Sequence, residues 1–422
     1  MPAKIKNFLL AATFFIFSVP AVYAQGGNSP YSILGVGDLM PKGNIVNQGM
    51  GGTGVSTPMP GYSNIANPAN LSNNNITFFD FGFFGEYRSI SDDDALQRDF
   101  GGNIMFAALG FPITRKWTSA VGLRPYTVVN SEITFTEKLP QTPTFVRYSY
   151  VYDGGITQAY WSNGIELFKG FSTGLEIAYN FGAINRSSRA QLEDGSATTI
   201  ETFLERTSVS DFVFTPGINY FGNISENFYL SFGATYQFAA DLNARSFQSL
   251  RRTDLANEVI AEDTLQNNIE GTVSLPSVAT IGFSMGKQFK YTIAGELSLQ
   301  SWSDYTGFNG EQPLADAMTM RFGGDFTPDI TSVSSYFNRI TYRAGVFYQQ
   351  LPYQLAGNQI EEAGITAGFS LPVGRGLSSM NLAVVYGVRG YNVDDLISEE
   401  YIKFSFGITV NDRLWFVRRR IN

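Results

Sequence analysis

The sequence predicts an all-β fold: a transmembrane antiparallel β-barrel of about 14 strands, with an N-terminal plug, or hatch, held in its lumen. Three observations carry this. Apolar residues alternate with small polar ones along most of the chain. Charged residues are only 16% of its 422 residues, while aromatic residues are 15%, and ordinary soluble domains carry roughly 25% charge. Beyond the N-terminus no stretch approaches the ~18 consecutive apolar residues of a membrane-spanning helix. A chain poor in charge but without long apolar runs must hide its apolar residues in alternation, as membrane strands do.

Residues 1–24 have the form of a secretory signal peptide. Lys4 and Lys6 give the positive end, Phe8 to Ala21 the apolar stretch, and Val22 with Ala24 the small-residue cleavage pattern. The apolar stretch is short for a membrane span, and cleavage is expected before Gln25. No cysteine follows, so no lipid anchor is expected there. Export of a barrel of this kind places it in the outer membrane of a Gram-negative cell, as a multi-pass protein among outer-membrane lipids.

Residues 25–72 differ in character from the rest of the mature chain. Gly35-Val36-Gly37, Met50-Gly51-Gly52-Thr53-Gly54 and Asn67-Pro68-Ala69-Asn70 are turn material without strand alternation. So long a segment without regular structure is usually functional or disordered. Scarce charge and the apolar residues Tyr31, Leu34, Leu39, Met50 and Ile65 argue against disorder and for a packed plug.

Residues 73–422 are read as the barrel. In Thr77 to Tyr87, Phe79, Phe81, Phe83 and Tyr87 alternate with Asp80, Gly82 and Glu86. Leu230, Phe232, Ala234, Tyr236 and Phe238 form a second such row, and Ile402, Phe404, Phe406, Ile408 and Val410 a third. Strands are expected to begin near Asn75, Gly101, Trp117, Ile156, Ser172, Thr207, Phe228, Asn268, Lys290, Ala317, Arg339, Glu361, Met380 and Tyr401. Short turns such as Lys169-Gly170 are assigned to the periplasm. Ser89 to Phe100, Ser187 to Arg206 and Asp241 to Gln266 are expected to be long extracellular links. Trp415-Phe416-Val417 is expected to end the last strand, followed by the basic tail Arg418-Arg419-Arg420.

Composition also limits chemistry. With neither cysteine nor histidine there is no thiol nucleophile, no thiolate or imidazole metal site and no Ser-His-Asp triad, so no enzyme, metal or cofactor is expected. A net charge of −8 argues against nucleic acid as a partner. The glycine run at Met50 follows no strand and precedes no lysine, so it is not a phosphate loop.

The order of Met50-Gly51-Gly52-Thr53-Gly54-Val55, Asn67-Pro68-Ala69-Asn70-Leu71 and an aromatic first strand resembles the start of the FadL/TodX family of outer-membrane transport proteins. Ser274-Leu275-Pro276-Ser277-Val278 followed by a strand ending in Ser301-Trp302-Ser303 is similar to a late strand of that family. Ser29-Pro30-Tyr31-Ser32, Gly37-Asp38-Leu39 and the tail from Phe406 to Arg413 look like a divergent branch of it. The resemblance implies a fourteen-stranded barrel with an N-terminal hatch, passively taking up long-chain fatty acids or other hydrophobic small-molecule cargo. It also implies lateral release into the bilayer at a kinked strand. The N-terminal segment is longer than the usual hatch.

Alternation projects Glu86, Arg88, Arg124, Glu176, Glu296, Arg321, Asp325, Arg343, Arg389 and Lys403 into the lumen. They fit a salt-bridge network bracing the plug; Arg124 or Arg343 also fits a carboxylate headgroup. Pro125 interrupts an otherwise regular strand, and fits either a plain bulge or, given the resemblance, a lateral gate. Tyr31, Leu34, Met50, Met59 and Ile65 fit either a ligand pocket or plug–wall packing. Two functions are open: passive hydrophobic transport, or a non-transporting barrel subunit of an outer-membrane secretion or assembly complex.

Overall fold

The computed structural model describes residues 29–412, apart from 92–95, 143, 194–198, 226–227, 309–313, 356, 375–377 and 392–396. The signal peptide, its cleavage site and the segment from Trp415 to Arg420 lie outside the described residues.

Fourteen antiparallel wall strands follow in chain order. They are β1 (Thr77–Ser91), β2 (Leu96–Thr114), β3 (Trp117–Pro125 as β3a, Thr127–Lys138 as β3b), β4 (Phe145–Phe168) and β5 (Phe171–Leu192). Next come β6 (Thr199–Ser225), β7 (Phe228–Gln237 as β7a, Ala240–Asp254 as β7b) and β8 (Val259–Leu275 as β8a, Val278–Lys287 as β8b). The ring ends with β9 (Tyr291–Gln300), β10 (Ala317–Phe326), β11 (Thr341–Leu355), β12 (Asn358–Pro372), β13 (Ser379–Arg389) and β14 (Ser398–Asp412). β14 pairs with β1 from Asp412↔Thr77 to Ser398↔Ser91, which closes the barrel. Closure leaves the membrane section with few unpaired edges.

The alternation is resolved as expected. On β1, Phe79, Phe83 and Tyr87 face outward while Asp80, Phe84, Glu86 and Arg88 are buried inside. Phe232 and Tyr236 on β7a, and Phe404, Ile408 and Val410 on β14, likewise face outward. No described helix is long and apolar enough to cross a membrane.

All three expected links prove to be largely strand among the described residues, the first because β1 runs to Ser91 and β2 starts at Leu96. β5 continues to Leu192 and β6 begins at Thr199, while Asp241 to Gln266 forms most of the β7b–β8a hairpin. Above the lipid a sheet can carry charge on either face, so charge density there does not distinguish strand from loop. The long β3b, β4, β5, β6, β7b and β8a form a six-stranded sheet on the side of the barrel away from the short turns.

A crease separates this sheet from the wall. β3 breaks at Tyr126, β7 at Phe238–Ala239 and β8 at Pro276–Ser277. Between them, Gly154 on β4 has φ +107° and a Cβ there would stand 2.1 Å from the Ala183 carbonyl oxygen. Only glycine fits.

The N-terminal segment lies within the ring, since it touches strands all round it. The helical turn Ile45–Gln48 packs on β12, β13 and β14, and the turn Pro68–Asn73 packs on β3a, β4, β5 and β6. Asp38 and Leu39 pair with Val128 and Thr127 of β3b. Wall glycines let the segment approach: a Cβ at Gly323 would meet the Met50 carbonyl oxygen at 2.2 Å.

Candidate functional site

Charged side chains in the lumen are paired with one another and with the N-terminal segment. Arg389 on β13 donates from Nη1 to both carboxylate oxygens of Asp38, at 2.9 and 3.0 Å, and from Nε to Glu362 at 2.8 Å. Arg88 pairs with Glu86 and Glu399, and Lys403 Nζ stands 2.9 Å from the second Glu86 oxygen. Glu399 also accepts from Ser29 Oγ at 2.7 Å. Every member of this group is at least partly buried, so each charge needs its partners.

A second group surrounds Arg124. Its guanidinium meets both Glu176 oxygens, at 2.5 and 3.2 Å, donates from Nε to Gln158 at 2.9 Å, and lies over the Tyr160 ring. Lys42 of the N-terminal segment stands 3.9 Å from Glu176 and donates to Gln237 at 2.8 Å.

In a third group Glu296 on β9 pairs with Arg321 at 2.9 Å. Its other oxygen accepts the backbone N–H groups of Gly54 and Val55, at 2.9 and 3.0 Å. At the β14–β1 seam, Asp80 accepts from Ser63 Oγ at 2.5 Å and from Thr409 at 3.0 Å. These wall carboxylates replace water for backbone groups that would otherwise be buried unpaired.

The five apolar candidates of the N-terminal segment do not form one pocket. Tyr31 and, at its edge, Leu34 belong to a core at the long-strand end, with Leu242, Val273, Trp302 and Tyr353. Ile65 packs with Ile45, Leu71 and Phe78 at another place, and Met50 and Met59 form a third cluster with Val46. The Tyr31 hydroxyl donates to the Ile397 carbonyl.

Two cavities lie among the described residues. The larger, about 240 Å³, lies beneath the upper core and is lined by Lys42, Glu86, Arg88, Glu296, Arg321 and Arg389 among others. Tyr31, Leu34, Met50, Met59, Ile65 and Arg124 are not among its lining residues. The smaller, about 130 Å³, lies at the short-turn end and includes Met59 and Arg343. Arg343 donates from Nη1 to Ser370 at 2.6 Å, and its Nε has no partner. Among the described residues no acidic group forms a metal-binding cluster.

Pro125 ends β3a, still paired with Thr157 of β4. Beyond this point the wall changes. β2 pairs with β3a only from Thr114↔Trp117 to Ala107↔Leu123, and no described strand pairs with that edge of β2 above Ala107. Sequence reasoning did not single out Lys42, Asp38, Glu362 or Glu399, which complete the networks. Only the position of Asp38 beside a glycine turn hinted at them.

A closed ring with an apolar outer face and a polar, internally filled lumen defines an outer-membrane-type β-barrel. Within that class the chain belongs to the BamG family, whose model matches residues 4–422. No curated protein matches it. Solved structures share its fold at low identity. The Pseudomonas putida toluene transporter TodX is 16% identical, with 90% of this chain and 100% of that one covered and a TM-score of 0.57. A Pseudomonas aeruginosa FadL homologue is 12% identical, with 88% and 99% covered and a TM-score of 0.58. The CymD monoaromatic hydrocarbon channel is 14% identical, with 90% and 99% covered and a TM-score of 0.55. At this identity the likeness is one of architecture.

Proposed function

We propose that this protein is a plugged, non-transporting barrel serving as a subunit of an outer-membrane secretion or assembly complex. The supporting observation is the state of the lumen. Arg88, Arg124, Arg321 and Arg389 are each engaged by carboxylates, and the expected ligand residues are spent on packing the N-terminal segment as a plug. A hydrophobic cargo would meet charged side chains in the main cavity and an apolar core above it. The projecting sheet of β3b to β8a supplies surface for partners.

Native mass spectrometry with lipid extraction, on protein gently purified from its own outer membrane, tests this. Stoichiometric partner proteins on a barrel empty of small molecules are expected. A stoichiometric hydrophobic molecule without partner proteins would overturn the reading.

One observation favours a second reading, passive uptake of long-chain fatty acids or other hydrophobic molecules with lateral release beside Pro125. The wall is unpaired just above Pro125, and the fold is that of proteins titled toluene transporter and hydrocarbon channel. In that reading Arg124 or Arg343 would hold a carboxylate headgroup, and Tyr31, Leu34, Met50, Met59 and Ile65 the tail.

A further inference from the structure

The gap above Pro125 has two sides, and they are not alike. On one side the edge of β3b is occupied by the chain itself: Thr127 and Val128 pair with Leu39 and Asp38, and the Asn130 carbonyl accepts from the Ser29 N–H at 3.0 Å. On the other side β2 from Phe100 to Phe106 pairs with β1 alone. This stretch lies at the lipid-facing surface, because Phe100 is 63% and Ile104 51% exposed and both point outward. Backbone donors and acceptors facing hydrocarbon cost several kcal/mol each unless satisfied. The chain meets one of them locally, through Asn103 Oδ1 accepting from the Ile104 N–H at 2.7 Å. The remainder of the edge lacks a ladder.

We propose that the β2 edge from Phe100 to Phe106 is the docking site for one extended strand of a different protein, which adds to β2 within the membrane and closes the wall. Donors and acceptors repeating at strand spacing are what this edge requires, and a peptide strand supplies them where a lipid does not. The docking strand carries apolar side chains outward, level with Phe100 and Ile104. Inward it carries small or polar ones, because Met105 of this same stretch lines the main cavity together with Lys42, Glu86 and Arg88. Gly102, half-buried on this stretch, has no side chain to block close approach. The inference rests on the complex-subunit reading and deepens it.

A photoreactive phenylalanine analogue placed at Phe100, Ile104, Ile281 or Ile365 in native membranes tests it; the last two face outward on β8b and β12. Phe100 and Ile104 are expected to give an adduct with a single stretch of one other protein, and Ile281 and Ile365 none. Amide exchange from Gly101 to Phe106 is expected to be at least tenfold slower in the native assembly than in the isolated barrel. Adducts with lipid or a second copy alone, or unchanged exchange, would overturn the proposal. Protein adducts only at Ile281 or Ile365 would remove the docking site and leave the subunit reading standing. No protein adduct at any of the four would remove the docking site, while the subunit reading falls only if stoichiometric partner proteins are missing from the native mass spectra.

Discussion

Arg389 holds Asp38 through both carboxylate oxygens, joining the thirteenth wall strand to a segment some 350 residues earlier in the chain. Because the same guanidinium serves Glu362 and lies 3.7 Å from Glu399, its removal would take the paired cation from Asp38 and Glu362 and leave Glu399 to Arg88 alone. Arg389→Ala should therefore cost about 3–5 kcal/mol, the range for breaking a buried pair. Asp38→Asn should cost markedly less. Denaturant unfolding of the detergent-solubilised barrel, read by tryptophan fluorescence, measures both.

Glu296→Gln removes the charge that receives the Gly54 and Val55 N–H groups. A loss of about 1.5–3 kcal/mol is expected for bonds to a charged group. Amide exchange at these two residues should quicken while β1 and β14 amides stay slow. Uniform quickening would mean that Glu296 supports the wall and not the segment.

Gly323→Ala would drive a methyl group into Met50, whose backbone atoms lie 2.2–2.9 Å from the built Cβ. Overpacking of this kind costs about 1–3 kcal/mol. Earlier thermal loss of the folded band on unboiled gels is expected, with protease cleavage near Met50. Gly357→Ala, where no atom lies within 4 Å of the built Cβ, serves as the comparison for steric contact, although its φ of +80° carries its own strain.

Uptake of a fluorescent fatty acid by cells should be the same for the wild type, Pro125→Ala and Arg124→Ala, provided each variant folds. Arg124 has its guanidinium filled by Glu176 and Gln158, which leaves little for a headgroup. A tenfold fall in uptake with Pro125→Ala would support the transport reading.

On the projecting hairpin, the hydrogen bond from Arg251 holds the Glu262 carboxyl below its ordinary range, with Ser249 adding to the effect. A depressed folded value means the contact stabilises above the unfolded carboxylate value and is lost as pH falls through the folded one. Exchange in β7b and β8a, corrected for intrinsic rate, should stay flat from pH 7 to about 5.5 and rise only below the ordinary carboxylate range. Glu262→Gln should abolish the rise.

Period-two alternation made the barrel legible, since outward Phe79, Phe83 and Tyr87 can satisfy lipid only on one face of a strand. The same logic failed above the lipid, where Arg189, Glu201 and Arg252 looked like loop yet lie on strands. Inward projection found Arg124 and Glu176 separately; that they meet depends on the register of β3a, β4 and β5 together. The apolar residues of the N-terminal segment read equally as pocket lining or as plug–wall packing. Nothing local in the sequence could show that Tyr31, Ile65 and Met50 anchor to three different places.

Asp80, which accepts from both Ser63 and Thr409, sits on the ladder that joins the last strand to the first. It follows that a segment lying ahead of every wall strand is wrapped by a ring that shuts only when the last wall strand arrives. An enclosed segment of this sort is sorted out during biogenesis or not at all. A misplaced one could be corrected only by reopening the seam, so fidelity of this barrel is decided before closure, by the order in which its ends meet.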